Sequence, residues 1–67
     1  MLSARNQLPG VVKSVNTGNV MAEVVITVGD LEVVAVITRG AAEHLDIKPG
    51  DRVKAVIKST DVLVDKP

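Results

Sequence analysis

The chain alternates short apolar runs with clusters of turn-forming residues, and the apolar runs are rich in β-branched side chains. Fourteen valines, four isoleucines and four threonines make about a third of the 67 residues β-branched. Side chains of this kind are stiff at χ1 and pack well on pleated surfaces, so they favour strands. The pattern predicts strands near 3–8 and 11–16, which together could form one bent strand, and near 20–28, 31–38, 52–58 and 61–64.

One short helix is predicted between the third and fourth strands. The segment 40–45 puts Ala41 and Leu45 on the same helical face, and Thr38 or Gly40 can cap its first turn. Five short strands interrupted by one helix at this point resemble an OB-like barrel. The predicted fold class is therefore all-β, a five-stranded antiparallel OB-like barrel with one short helix, and 67 residues are expected to form a single domain, 1–67.

Two of the predicted strands are apolar on both faces. Val24-Val25-Ile26 and the run from Val33 to Ile37 are continuous, whereas a half-buried antiparallel strand should alternate apolar and polar residues. Gly29-Asp30 between the two strands predicts a tight hairpin, although Asp-Gly is the favoured order. A barrel core covers one face, so the other face indicates a neighbouring subunit. The alternative is a twisted or bulged strand with some exposed valine.

The size of the chain also favours self-association. A chain of 67 residues buries only roughly 60% of the surface that its unfolded form exposes, so small domains usually need disulfides, a structural metal or other chains. The sequence has no cysteine and one histidine, His44, which excludes disulfides and a thiolate metal site. We therefore expect a homo-oligomer.

Composition and charge argue against several classes of function. Eight basic and eight acidic residues cancel, and no aromatic residue is present on which a base could stack, so nucleic-acid binding is disfavoured. The longest apolar run is far shorter than the ~20 residues that span a bilayer, and no signal peptide is recognisable. These features predict a cytoplasmic protein without a membrane partner.

Catalytic residues are hard to find in this sequence. His44 lies on the predicted helix among small residues with no nucleophile beside it, and we interpret it as a solvated helix residue. The acidic residues that flank the turns are typical turn formers. The sequence therefore predicts a protein that is not an enzyme and has no organic cofactor.

Two polar segments combine hydroxyls with a cation at the ends of strands that become neighbours if the barrel closes. Ser3 and Arg5 share one face of the first segment, and Lys58-Ser59-Thr60 ends the second. These groups can donate several hydrogen bonds, since the two cations carry only donors and the hydroxyls can rotate to donate. Spacing alone leaves two interpretations open, polar strand ends and an anion site.

A pocket built from donors has a definite preference among tetrahedral anions. Phosphate at neutral pH still carries a proton in much of its population, so it needs an acceptor nearby. Molybdate, tungstate and sulfate are fully deprotonated and only accept. An unsatisfied buried donor or acceptor costs ~1–3 kcal/mol, so such a pocket favours the second group, although Asp61 close to Lys58 weakens this preference.

The opening Ser3-Ala4-Arg5-Asn6-Gln7 and the close Lys58-Ser59-Thr60 resemble the molybdate-binding Mop domain, or molbindin, and the related TOBE domains. The resemblance spans nearly the whole chain. It implies a barrel whose first strand is exchanged between subunits, and a homohexamer built as a trimer of dimers with oxyanions at subunit interfaces. The metal is then bound as molybdate or tungstate, with no direct coordination by the protein.

The resemblance also assigns roles to individual residues. Ser3 and Arg5 of one subunit would face Thr38, Lys58 and Ser59 of another around the anion, and Asn6 would mainly hold the strand geometry. Longer relatives carry a DNA-binding module or a transporter ATPase, so storage, buffering or delivery is expected for this chain. Pro9 departs from the family pattern and removes one strand donor.

Two alternatives compete with molybdate or tungstate binding. The segment from Leu45 to Val53 is similar to the turn of AbrB-type swapped-hairpin DNA-binding regulators, although the zero net charge argues against DNA. A structural assembly domain that binds no ligand is the second alternative.

Overall fold

The computed structural model describes residues 4–67, which form one antiparallel sheet and a short helix. In this part of the chain the elements are β1 Asn6–Thr17, β2 Met21–Val28, β3 Leu31–Thr38, α1 Arg39–His44, β4 Arg52–Ile57 and a 3₁₀ helix at Ser59–Asp61. The sheet order is β3-β2-β1-β4. The all-β class with one short helix is confirmed. The prediction of a strand near 61–64 is wrong. The sheet of the described residues has four strands, and no ladder closes it into a barrel.

The first two predicted strand segments are one bent strand. Strand β1 runs through 12 residues, and its first half pairs with β4 while its second half pairs with β2. The register with β2 shifts between Val12 and Ser14, so Lys13 is the extra residue of a β-bulge, which bends a strand and increases its twist. The irregularity in the β1–β2 ladder therefore lies at Lys13.

Pro9 is compatible with the interior of β1 because it faces the open side of the strand. The Val12 amide donates to the Asp51 carbonyl (2.9 Å), and the Val12 carbonyl accepts from the Gly50 amide (2.8 Å). The polar backbone groups of Val12 thus point towards β4, and those of Pro9, three residues earlier, point the opposite way. On that side β2 pairs with β1 only from Val11 onwards. Pro9 therefore removes no hydrogen bond from the sheet of the described residues.

The hairpin between β2 and β3 is confirmed, and its geometry explains the Gly-Asp order. Val28 and Leu31 are the last ladder pair, with Gly29 and Asp30 between them. Gly29 has φ 59° and Asp30 does not have a positive φ, which fits a type II′ turn with glycine at its first central position. Asp-Gly would serve the alternative type I′ turn.

The core is small and consists of aliphatic side chains only. Its buried members are Val12, Val24, Ile26 and Ala55. On β3 the side chains alternate, and the outward-facing Val34 and Val36 are 57% and 61% exposed. The two-faced apolar character of β3 is therefore confirmed, and its outer valines remain uncovered in one chain.

Helix α1 is closed at both ends by local hydrogen bonds. Thr38 is its N-cap, as one of the two alternatives predicted. At the C-terminal end the amides of Asp46 and Ile47 donate to the carbonyls of Glu43 (3.0 Å) and Ala42 (3.2 Å), and Asp46 has φ 52°. This is a Schellman motif. Ala42 is the buried residue of the helix, and Leu45, its C-cap, is exposed.

Candidate anion-binding site

The start of β1 and the end of β4 meet at one corner of the sheet. Asn6 and Ile57 are the last ladder pair there, and Cα atoms of such pairs lie about 4.5–5.5 Å apart. Arg5 and Lys58 are each one residue beyond this pair, and Ser59 follows Lys58 as the first residue of the 3₁₀ helix. The register thus brings four of the predicted site residues together within one chain. The family pattern implied instead that Lys58 and Ser59 face Arg5 from another subunit.

The two cations at this corner form no ion pair within the described part of the chain. The ion pairs among residues 4–67 join Lys13 with Glu32, Arg39 with Glu43 and Lys48 with Asp46.

Arg5, Lys58 and Ser59 are exposed at this corner, and none of their side chains takes part in a hydrogen bond between described residues. Asp61 ends the same 3₁₀ helix and is the acidic residue nearest in sequence. The corner therefore combines two positive charges with donors that are free to turn towards a ligand.

Thr38 belongs to a different part of the sheet. It is the last residue of β3, where it pairs with Met21. A groove separates β3 from β4: Ile37 lines it on one side and Val56 on the other. Neither a ladder pair nor a hydrogen bond between described residues joins Thr38 to Lys58 or Ser59.

The Thr38 hydroxyl has a structural role in its own chain. Its Oγ1 accepts a hydrogen bond of 3.1 Å from the Ala41 amide, which satisfies one of the free N–H groups of the first helical turn. The hydroxyl hydrogen is not used in that bond and can still be donated.

Thr38→Ala is expected to destabilise the chain by about 1 kcal/mol through loss of the cap. Thr38→Asn keeps a capping oxygen and should stay within a few tenths of a kcal/mol of the parent, since Asn is as good an N-cap as Thr. Urea unfolding followed by circular dichroism measures both. Equal stability of the Ala variant and the parent would contradict the capping role.

The other predicted residue, Ser3, lies outside the described residues 4–67. The groove between β3 and β4 and the cations beside it, Arg52 and Lys54, were not predicted from the sequence. The signal was present in the alternation of β4, where Arg52, Lys54 and Val56 are exposed while Val53 and Ala55 face inwards.

Within residues 4–67 no group of three or more His, Cys, Asp or Glu side chains is arranged to hold a metal ion.

The fold and the corner together define a class, a small antiparallel β domain that presents clustered cationic and hydroxyl donors at a strand end. No helix among the described residues has the length and apolarity needed to cross a bilayer. The comparisons with known proteins agree with this class and identify the family within it.

A TOBE domain model matches residues 2–64. Molybdenum-pterin-binding protein 3 of Clostridium pasteurianum is 47% identical over 64 residues, which cover 94% of each chain. The structure of a molybdate-binding protein from Sporomusa ovata superposes with a TM-score of 0.95 at 41% identity, covering 98% of both chains. The cytoplasmic molybdate-binding protein ModG, solved with molybdate bound, gives a TM-score of 0.83 at 43% identity over 88% of this chain and 43% of ModG.

This chain belongs to the TOBE domain family. The resemblance drawn from the opening Ser-Ala-Arg-Asn-Gln and the closing Lys-Ser-Thr is confirmed. The relatives are named as binding proteins rather than as enzymes, and the comparisons do not favour the swapped-hairpin alternative.

Proposed function

We propose that this chain binds molybdate or tungstate as the intact oxyanion, at sites formed between copies of itself, and that it acts as a binding protein and not as an enzyme. The observation that carries the proposal is the corner at the end of the β1–β4 ladder, where Arg5 and Lys58 occupy neighbouring positions and neither forms an ion pair with a described residue. The molybdate-binding relatives, similar over nearly the whole chain, support the same ligand.

Each residue of the proposed site has a distinct role. Arg5 and Lys58 supply charge-assisted hydrogen bonds, which are roughly twice as strong as neutral ones. Ser59 donates its hydroxyl, and Ser3 is proposed to do the same. Asn6 is half-buried and paired with Ile57, so its proposed role is to fix the start of β1.

Thr38 joins the proposed site from a second copy of the chain. Within one chain neither a ladder pair nor a hydrogen bond between described residues joins it to Lys58, so the proposed contact to the same anion comes from another subunit. Its hydroxyl keeps the capping bond to Ala41 and donates its hydrogen to the anion. Exchange of the first strand between subunits, as in the family pattern, is one way to bring the two edges together.

The ligand preference follows from the balance of donors and acceptors. Molybdate and tungstate only accept hydrogen bonds, whereas much of the phosphate population carries a proton that needs an acceptor. The corner offers cations and hydroxyls, and an unmatched polar group in a dry site costs ~1–3 kcal/mol. We therefore expect molybdate and tungstate to bind more tightly than phosphate.

Oxyanion binding is expected to raise thermal stability. A ligand that binds only the folded assembly adds about 2.7 kcal/mol at a concentration 100 times its dissociation constant, so molybdate and tungstate should raise Tm more than phosphate does. Differential scanning calorimetry, with equilibrium dialysis and metal analysis on the same samples, measures the effect. Equal shifts with all three anions that vanish in added salt would mean general screening, and no retained molybdenum would favour the ligand-free assembly domain.

Self-association is the second part of the proposal. The core is built from four small buried side chains, and Val34 and Val36 are uncovered on the outer face, so an isolated chain is expected to be marginal. We expect a hexamer of six 7.0 kDa chains, arranged as a trimer of dimers. Light scattering at micromolar concentration should detect it, and a folded monomer under those conditions would overturn this expectation.

The proposed setting is the cytoplasm, with storage, buffering or delivery of the anion as the role. The name of ModG places that relative in the cytoplasm. The sequence of this chain has no cysteine that an oxidising compartment could use, which is consistent with the proposal.

A further inference from the structure

Charged side chains are segregated across the sheet, although the net charge of the chain is zero. Strand β4 carries Arg52 and Lys54 and no acidic residue. The part of β1 that pairs with it, residues 6–11, carries no charge. Strands β2 and β3 have the opposite composition, since they carry Glu23 and Glu32 and no basic residue. The edge of the sheet at β4 is therefore its positive side.

Arg52 and Lys54, the β4 cations, lie on the same face of the sheet as the cations of the proposed anion site. Both are exposed in the alternation of β4. Lys58 is exposed as well and has extended backbone angles, φ -64° and ψ 141°, so the alternation continues to it. A strand rises about 3.3 Å per residue, which puts the Cα atoms of Lys54 and Arg52 about 13 and 20 Å from that of Lys58. The three cations thus form a row that ends at the proposed site.

The immediate neighbours of the β4 cations leave their charges uncompensated. Their ladder partners on β1 are a valine and a proline, and neither cation forms an ion pair with a described residue. Asp51 precedes Arg52 in sequence, but its Oδ2 accepts a hydrogen bond of 2.9 Å from the Lys48 amide. Arg52 and Lys54 therefore act on an approaching ion with little compensation.

The stability of the fold does not account for this row. Side chains two residues apart on one strand face start from Cα atoms about 6.6 Å apart, and like charges at that distance repel each other. An unpaired row of cations beside an anion site has a different effect, since it raises the local concentration of anions and the rate at which they reach the site.

We propose that the β4 cations attract the oxyanion on its way to the corner, so that they raise the association rate of molybdate without holding the bound anion. Charges at the rim of a site change the association rate and its salt dependence, whereas groups in contact with the ligand change the dissociation rate. Arg5 and Lys58 then retain the anion that Arg52 and Lys54 attract. This inference rests on the proposed function and deepens it, because it gives a role to two residues outside the proposed site.

Two measurements on the assembled protein give the association rate constant of molybdate. Isothermal titration calorimetry gives Kd, and displacement of radiolabelled molybdate by an excess of unlabelled molybdate gives the dissociation rate constant. The second value divided by the first is the association rate constant. Light scattering of the same samples measures the oligomer.

The variant R52Q/K54Q is expected to bind molybdate about two- to fivefold more slowly than the parent at about 0.01 M ionic strength, where the Debye length is ~30 Å. Its dissociation rate constant should stay within about 1.5-fold of the parent value. At about 1 M salt, where the Debye length is ~3 Å, the two proteins should associate equally fast.

The matched control K13Q/K48Q loses the same two positive charges from other places. Lys13 pairs with Glu32 and Lys48 with Asp46. Lys13 lies at the bulge of β1 and Lys48 in the turn before β4, so both are farther from the corner than the β4 cations. The control should associate within about 1.5-fold of the parent rate. An equal fall in both double variants would show an effect of net charge only and would overturn the inference.

Charge reversal tests whether the effect is electrostatic. R52E/K54E changes the charge of each position by twice as much as R52Q/K54Q, so the logarithm of the association rate constant should fall twice as far. The expected fall at about 0.01 M ionic strength is about four- to twenty-fivefold, the square of the effect of the glutamine variant. Equal rates in the glutamine and glutamate variants would contradict attraction by charge.

The remaining outcomes separate this inference from the proposed function. Faster dissociation of molybdate from R52Q/K54Q with an unchanged association rate would make the β4 cations ligand contacts. Loss of the oligomer in this variant would make them contacts between subunits, and either result overturns the inference. A parent that binds molybdate at the same association rate as R52Q/K54Q leaves the function standing and removes only the inference. A parent that retains no molybdate removes the proposed function itself.

Discussion

Gly10→Ala is expected to destabilise the fold by about 3 kcal/mol or more, at the upper end of overpacking effects. A Cβ at position 10 would lie 2.5 Å from the Thr27 carbonyl oxygen and 2.8 Å from Ile26 Cγ2. The carbonyl belongs to β2 and cannot retreat without disturbing the ladder next to the core. Urea unfolding of the assembled protein, monitored by far-ultraviolet circular dichroism, measures the loss.

Gly40→Ala is the matched control for Gly10→Ala. A Cβ at Gly40 meets nothing within 4 Å, and the residue lies in α1, where alanine is better than glycine by up to about 1 kcal/mol. The same substitution should therefore have opposite effects at the two positions. If Gly10→Ala unfolds at the urea concentration of the parent, β1 and β2 do not approach as closely as described.

Loss of either cation at the proposed site is expected to weaken molybdate binding about ten- to a hundredfold, the equivalent of ~1.5–3 kcal/mol. Arg5→Lys should restore binding only in part, because the guanidinium holds several donors in a fixed plane and an ammonium is a point charge. Isothermal titration calorimetry of Arg5→Ala, Arg5→Lys and Lys58→Ala gives the three affinities. Lys48→Ala, an exposed cation away from the corner, should bind like the parent.

Lys58→Ala should move binding and stability in opposite directions. Without a ligand the two cations of the corner repel each other, so removing one leaves the empty oligomer unchanged or slightly more stable. Thermal unfolding in the absence of oxyanion measures this. Parent-like molybdate binding combined with loss of the oligomer would mean that Lys58 is a structural residue and that the anion site lies elsewhere.

Much of the fold could be predicted because it depends on local patterns. The hairpin follows from two apolar runs around Gly29-Asp30, and the helix follows from a capping residue, Thr38, ahead of small helix-forming residues. The position of the bulge in β1 could not be predicted from the sequence. The bulge at Lys13 depends on the register with another strand, which the pattern of β1 itself does not show.

The strand near 61–64 shows why local pattern alone does not make a strand. Val62-Leu63-Val64 has the residue types of a strand, but a strand also needs a neighbour for its backbone groups, and the 3₁₀ turn at Ser59–Asp61 separates the segment from β4. The closeness of Gly10 to Thr27 was equally hidden, since it joins residues distant in sequence. Neither feature can be recognised from the pattern of a short stretch of sequence.

The residues of the candidate site also differ in how far the sequence predicts them. Arg5 and Lys58 could be grouped from the sequence because an opening and a closing strand become neighbours in a closed barrel, and the β1–β4 ladder brings their positions together. Thr38 came only from the family pattern. It ends β3 on the opposite edge of the sheet from β4, and no spacing along the chain relates it to Arg5 or Lys58.

Pro9 limits edge-to-edge pairing along the open side of β1. Strand β1 has an open side along its first half, and a flat open side is a template for endless edge-to-edge growth into fibrils. The missing amide hydrogen of Pro9 interrupts the donors on that side. In a chain that is one-third β-branched, this gap in the row of donors disfavours continuous edge-to-edge pairing along β1 and so opposes aggregation into fibrils.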